Sequence, residues 1–436
     1  MMLSVIGCGY LGAVHAASMA KLGHDVVGVD VDARKIASLA SGTAPFFEPQ
    51  LPEILSESLA SGRLTFTTDM SSALGATVHF IAVGTPQQPN GGAADLSYVD
   101  AAIDGLLPYL REGDLVVGKS TVPVGTSARL AERVAQTGAT LVWNPEFLRE
   151  GFAVKDTLAP DRLVYGVPAG PDGERAAAIL DQVYAEAIAA GTPRIITDLA
   201  TAELVKVAAN AFLATKISFI NAMAEIADAT GADVKQLADA IGYDERIGRR
   251  FLGAGIGFGG GCLPKDIRAF TARAEELGRG SSVAFLKEVD AINLRRREHA
   301  VTLVVSGLGG SVVGARIAVL GASFKPHSDD IRDSPALDVA VRLRGLGADV
   351  VVTDPQALGN ARRAHPQLRY ADTRDEAIAG ADAVVLVTEW DEYRRELTPE
   401  HAASLARGRL IVDGRNCLDP EAWRAAGWDY RGMGRR

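Results

Sequence analysis

Short apolar runs alternate with longer amphipathic stretches over the first half of the chain, a pattern that predicts a parallel sheet flanked by helices. Leu3 to Ile6 reads as a buried strand, Leu11 to Leu22 as a helix, and Asp25 to Val29 as a second strand closed by Asp30. Runs at Val78–Val83, Leu115–Lys119 and Leu141–Trp143 extend the sheet, with late strands at Arg162–Val167 and Arg194–Ile196. The pattern changes near Leu199: from Thr201 to about Thr230 it is helical and apolar on much of its circumference, as in a helix buried inside the protein or against another subunit. A second helical stretch, Ser281 to Leu308, follows, and at Arg316–Leu320 an α/β pattern starts again, continued by Asp349–Thr353, Ala383–Thr388 and Leu410–Val412. Each half opens with a strand running into a glycine turn, at Gly7 and at Gly321. The expected architecture is α/β: two doubly wound domains, 1–198 and 309–436, joined by a central helical domain, 199–308.

Composition narrows the function classes. At 436 residues, with 47% hydrophobic and 23% charged residues, the chain is an ordinary multidomain globular protein. A formal charge of −9 repels nucleic acid and anionic membrane, so neither is expected as a partner, and a phosphate ligand must be met by local cations. Cys8, Cys262 and Cys417 lack paired spacing, which argues against a disulfide framework or a metal site and fits a reducing cytoplasm. No secretory leader and no apolar run long enough to span a bilayer are read.

The candidate chemistry clusters in a few motifs. Gly7-Cys8-Gly9-Tyr10-Leu11-Gly12 lies between a strand and a helix, and Asp30 closes the next strand. Gly7 permits the tight turn, Gly9 the approach of a pyrophosphate and Gly12 close helix packing, while Asp30 accepts from a ribose and opposes a 2′-phosphate. NAD is therefore the expected cofactor. Arg34 and Lys35 follow close by, either to serve a phosphate or as a solvated helix face, and Lys35 is counted with the cofactor candidates. The turns carrying Thr85-Pro86 and Thr121 fall at the carboxyl edge of the sheet, within reach of a cofactor or as simple turn chemistry. Glu146 follows another strand, where a carboxylate can move protons. Lys206 and Asn210 share a helix face, with Glu203 a turn earlier, and an ammonium beside an amide suits an oxyanion. Cys262 emerges from Gly257-Phe258-Gly259-Gly260-Gly261 just ahead of a helix start, with Pro264 expected at the first helical position and Lys265 adjacent. Both the helix dipole and that lysine favour thiolate.

Together these residues resemble the UDP-glucose and GDP-mannose dehydrogenase family, nearest its UDP-glucose 6-dehydrogenase branch, from end to end of the chain. Phe324-Lys325-Pro326 and Asp413-Gly414-Arg415-Asn416 add to the match. The resemblance implies two Rossmann-like domains joined by a helical one, NAD in the first, a nucleotide sugar towards the last, and a homodimer formed through the central helices. It implies a four-electron oxidation of an alcohol to a carboxylate, with Cys262 as the covalent nucleophile, Glu146 as general base, Thr121 and Asp266 ordering water, and Lys206 and Asn210 holding the oxyanion. It places Tyr10, Leu11, Glu150, Lys265 and Arg332 near the cofactor. It places Glu146, Phe147, Leu148, Arg149 and Glu150 along the sugar nucleotide, and beside them Phe251, Leu252, Gly253, Ala254, Gly255, Gly257, Phe258 and Gly259. Phe324, Lys325 and Arg415 would lie on the far side, and Arg246 would reach a neighbouring subunit's substrate. For any one arginine a surface salt bridge is the competing account. Rival readings are a sister enzyme acting on GDP-mannose or a UDP-N-acetylhexosamine, a one-step hydroxyacid dehydrogenase, which would need no thiol, and a non-catalytic NAD-binding protein.

Overall fold

The computed structural model describes residues 1–89 and 91–435. It forms two compact units, one of residues 1–209 with 272–278, the other of 210–271 with 279 onward.

The first unit is built on eight strands: β1 (Met2–Ile6), β2 (Asp25–Val29), β3 (Leu64–Thr67), β4 (Val78–Ile81), β5 (Leu115–Gly118), β6 (Thr140–Trp143), β7 (Leu163–Gly166) and β8 (Arg194–Thr197). Their order is β3-β2-β1-β4-β5-β6-β7-β8, parallel except where Trp143 of β6 meets Gly166 of β7. The chain order reverses at β1 and β4, so a crevice opens beyond their carboxyl ends. Both faces are covered. Leu3, Val5, Phe80, Val117 and Val142 look one way and Ile6, Val27, Ile81, Val116 and Trp143 the other, which is why the strands read as continuous apolar runs. Burying each such side chain stabilises the fold by about 1.5–3 kcal/mol. Helix α1 (Tyr10–Lys21) packs on this sheet through Gly12, Ala13, Ala16, Ala17 and Ala20, small residues that allow close approach, and helix α2 (Thr126–Ala135) follows β5.

The second unit carries β9 (Arg316–Leu320), β10 (Asp349–Thr353), β11 (Arg369–Tyr370), β12 (Ala383–Leu386), β13 (Leu410–Asp413) and β14 (Asp429–Gly432), all parallel, in the order β11-β10-β9-β12-β13-β14. One face packs Ile317, Val319, Val385 and Val412 under Ala300 and Val304; the other packs Ala318, Val384 and Ile411 against Tyr393, Trp423 and Trp428.

Among the remaining helices, α3 spans Leu199–Thr230, α4 Leu263–Glu276, α5 Phe285–Gly307 and α6 Pro335–Gly345. Against the sequence reading, α3 is long and apolar enough to cross a membrane by length and composition. Its polar residues are nonetheless engaged inside the protein: Asn210, Ser218 and Asn221 are buried and bonded there. Strands β3, β11 and β14 escaped the sequence reading because all three are sheet edges, short and partly polar, and an edge strand needs no continuous apolar run.

Candidate active site

The glycine motif of the first unit forms an open cradle. Gly7 ends β1 at a φ of +91°, and its N–H donates to the Val29 carbonyl at 2.8 Å. A Cβ on Gly12 would fall 1.8 Å from the Gly7 carbonyl oxygen, whereas one on Gly9 would meet nothing within 4 Å. Space is thus kept directly beside the first turn of α1, where backbone N–H groups and the helix dipole favour an anion. Asp30 closes β2. Its carboxylate accepts the Cys8 N–H at 2.7 Å, the Asp32 N–H at 2.9 Å and the Lys35 ammonium at 2.8 Å, so Lys35 is paired with Asp30 and does not lie on a merely solvated face. Together the cradle and the acidic strand end fit a dinucleotide: Gly7, Gly9 and Gly12 for its pyrophosphate, Asp30 for a ribose hydroxyl. Thr85 donates to the Thr121 carbonyl at 2.9 Å, tying the turns after β4 and β5 together with Pro86 exposed beside them. Tyr10 donates to Glu48, whose two oxygens accept the N–H groups of Gly151 at 2.7 Å and Ala153 at 2.6 Å. Glu48 thereby anchors the loop bearing Glu150 to the start of α1.

Beyond β6, Glu146 and Lys206 face each other at 3.9 Å with side chains only 15% and 10% exposed. Glu146 also accepts the Leu148 N–H at 2.7 Å. Burial raises its carboxyl above the usual range, while Lys206, the Leu148 N–H and Lys119 pull it back. A carboxylate lifted towards neutrality suits a general base. Phe147 floors this cluster, with the Arg162 guanidinium 3.8 Å and the Lys206 ammonium 5.4 Å from its ring centre. Leu11 and Leu148 line the same cavity as Glu146. Arg149 turns to Asp156, at 2.8 and 2.7 Å. Glu203 does not join Lys206: it spends both oxygens on the Gly125 and Ser127 N–H groups at 2.7 and 2.6 Å, holding the start of α2.

In the second unit Cys262 is exposed at the head of α4, its carbonyl accepting the Asp266 N–H at 2.9 Å. Helix α4 begins at Leu263, so Pro264 takes its second position and not the first; its missing N–H is an orphan at either place. Asp266 is buried, held by the Asn210 amide at 2.6 Å and the Lys265 ammonium at 2.8 Å. The loop before Cys262 is pinned at several points. Asn221 accepts from the Gly255 N–H at 2.9 Å and Asn293 from the Phe258 N–H at 2.7 Å, and Arg415 donates to the Gly257, Phe324 and Val387 carbonyls at 2.9, 3.0 and 2.8 Å. Close approach dictates its glycines: a Cβ on Gly257 would sit 2.3 Å from the Asn293 amide oxygen, and one on Gly259 2.3 Å from the Asp333 carbonyl. Leu252 and Ala254 are buried along this loop, while Phe251 and Gly253 are exposed, Phe251 at a φ of +65°. Lys325 lies 5.2 Å over the Phe324 ring. Arg332 pairs with Asp330 and Arg246 with Asp244, each at 2.6 Å, and both arginines are largely exposed.

Family models for the UDP-glucose/GDP-mannose dehydrogenases match in chain order: the NAD binding domain over residues 1–188, the central domain over 200–295 and the UDP binding domain over 318–420. The chain belongs to this family. It is 43% identical to a UDP-glucose 6-dehydrogenase of Rhizobium meliloti (strain 1021), with all of both chains covered. Among solved structures it matches a UDP-glucose dehydrogenase from the archaeon Pyrobaculum islandicum at a TM-score of 0.90 and 39% identity, covering 100% of this chain and 98% of that one. It also matches a UDP-D-ManNAc dehydrogenase from Pyrococcus horikoshii at a TM-score of 0.86 and 28% identity, covering 100% and 99%.

The enzyme is an NAD-dependent oxidoreductase with more site-forming residues than motif reading found. Asn221 and Asn293, which hold the loop before Cys262, sit inside stretches whose sequence pattern marks them only as helical. Lys119 does carry a signal in the sequence: a cation ends an otherwise apolar strand, Leu-Val-Val-Gly-Lys. Buried, it donates to Asn144 at 3.0 Å.

Proposed function

We propose that this protein oxidises UDP-glucose to UDP-glucuronate in two two-electron steps with a covalent intermediate on Cys262. The observation that carries this reading is the exposed Cys262 at the head of α4, one helical turn before a buried Asp266 that Asn210 and Lys265 hold. Full-length identity of 43% to a protein named UDP-glucose 6-dehydrogenase supports the substrate. NAD, when bound, supplies the hydride acceptor, one molecule for each two-electron oxidation. The chain's own residues do the rest. The Cys262 thiolate adds to the aldehyde carbon, and the resulting thiohemiacetal is oxidised to a thioester. Water then attacks the thioester carbonyl and gives its proton to Glu146, the C–S bond breaks and the thiolate leaves. Lys206 and Asn210 stabilise the oxyanion, and Thr121 and Asp266 order the water. The parts 1–198, 199–308 and 309–436 serve cofactor, dimer and nucleotide sugar in turn, and the cytoplasm keeps the thiol reduced.

Offered UDP-glucose, GDP-mannose and UDP-N-acetylmannosamine in turn with NAD, the purified protein should turn over UDP-glucose fastest and form two NADH per acid. One NADH per turnover with a free carbonyl product would refute the four-electron scheme, and preference for another sugar would reassign the substrate.

A second copy of the chain is the partner we assign to α3. Phe212, Phe219 and Ile226 stand 67%, 49% and 59% exposed at a spacing of seven residues, one apolar stripe along the helix. A Phe219→Glu variant should halve the mass measured by light scattering, and an unchanged mass would remove the assignment.

A further inference from the structure

The wall behind Glu146 holds a second ammonium group. Lys119 follows β5 directly and is buried. Its Nζ lies 3.0 Å from the Asn144 amide oxygen and 3.3 Å from the Tyr184 hydroxyl, and that hydroxyl in turn donates to Asn144 at 2.7 Å. The other end of the Asn144 amide is fixed on the Val164 carbonyl at 2.9 Å. Rings of Phe80 and Tyr184 flank the ammonium, centred 5.9 and 5.7 Å from it. Asn144 lies two residues before Glu146 on the same loop, and Lys119, Asn144, Glu146 and Tyr184 line one cavity.

A buried ammonium is costly to keep unless something in the fold needs its charge. Two neutral oxygens take two of its three N–H donors but do not balance that charge. The anion that interacts with it is Glu146: each favours the ionised form of the other. The geometry points to Lys119 as a positioning residue of the reaction, a fixed charge that acts through Glu146, keeping it ionised and ready to accept a proton from water. Lys119 is held in place by Asn144 and Tyr184 within the cavity that Glu146 also lines.

The surrounding groups agree with this arrangement. Burial pulls the Lys119 ammonium down to about 8, with Glu146 opposing and Lys206 adding to the fall. His15 of α1, fully buried, is held well below its usual range by burial and then by Lys119, so it stays neutral and brings no competing charge. Asp156 pushes the Glu146 carboxyl up, Lys206 pulls it down, and Asp161 and Arg162 add further charges to the lining of the cavity. Tyr184, pushed far above its usual range by burial, remains a neutral donor. Removing the Lys119 charge leaves only Lys206 and the Leu148 N–H to oppose burial, so Glu146 should take up its proton at higher pH.

This inference rests on Glu146 being the general base, and the test separates the two. Thermal melting and NAD titration first establish that each variant folds; then kcat is measured against pH. Lys119→Met should move the acidic limb up by about one pH unit, a roughly tenfold loss of rate below the limb, with KM for the nucleotide sugar little changed. Lys119→Arg, which keeps the charge, should return the limb towards its wild-type position. Lys119→Gln, which keeps a donor without the charge, should behave like the methionine variant and replaces it if that variant does not fold. A limb that stays put in both neutral variants, with only a uniform loss of kcat, would reduce Lys119 to a structural role and overturn the inference. Glu146→Gln should abolish the limb; an unchanged limb there would overturn the assignment of Glu146 as base instead.

Discussion

The two sheets begin alike and end differently. In each, the first strand lies between the second and fourth of its own unit, a glycine follows it, and an aspartate follows the second strand: Gly7 and Asp30 in one, Gly321 and Asp354 in the other. In the first unit the helix starts at Tyr10, three residues after the glycine, and the space at Gly9 is clear. In the second the chain runs on to Pro335 before a helix begins, and a Cβ on Gly321 would strike the Thr388 hydroxyl at 2.3 Å. The aspartates diverge in the same way. Asp30 accepts two backbone N–H groups and a lysine, whereas Asp354 is saturated by the N–H groups of Ala322, Ser323, Gln356 and Ala357, the Ser323 hydroxyl and the Trp390 indole. Strand order provides a crevice, but only a helix N-terminus and a partly spared carboxylate turn it into a dinucleotide site.

The sharpest way to break that contrast is Asp354→Ala. Stripping the acceptor from four backbone donors should cost about 3 kcal/mol or more in a denaturant titration, with NAD affinity of the folded protein unchanged. A loss of NAD affinity without a loss of stability would show that the second aspartate serves a ligand after all. The smaller effect belongs to Asp30→Ala, which should cost about 1–2 kcal/mol of stability and weaken NAD roughly tenfold while narrowing the preference over NADP, read by fluorescence titration of both. Equal affinities for NAD in variant and wild type would sever Asp30 from cofactor recognition.

Much of this was legible in the chain itself. The apolar runs marked the central strands, because strands covered on both faces are apolar at nearly every position, and the glycines at 7, 9 and 12 announced their turn, because few other residues fit one. Edge strands β3, β11 and β14 were not legible, since one-sided pairing leaves no unbroken hydrophobic signature. Glu203 shows the limit of helical spacing. Three residues from Lys206, it reads as part of the same polar face, yet it turns to the start of α2 because two unpaired N–H groups wait there.

The sequence by itself determined the architecture of alternating strands and helices and the glycine turn of the cofactor domain, which depend on local conformation and side-chain chemistry. Only the tertiary structure decided which charges are spent: Asp354 largely on nearby backbone N–H groups, Arg415 on three carbonyls and Glu389, and Lys119 on Asn144 beside Glu146. Those outcomes depend on burial and on partners distant in the chain, and a charge costs or contributes according to what surrounds it after folding.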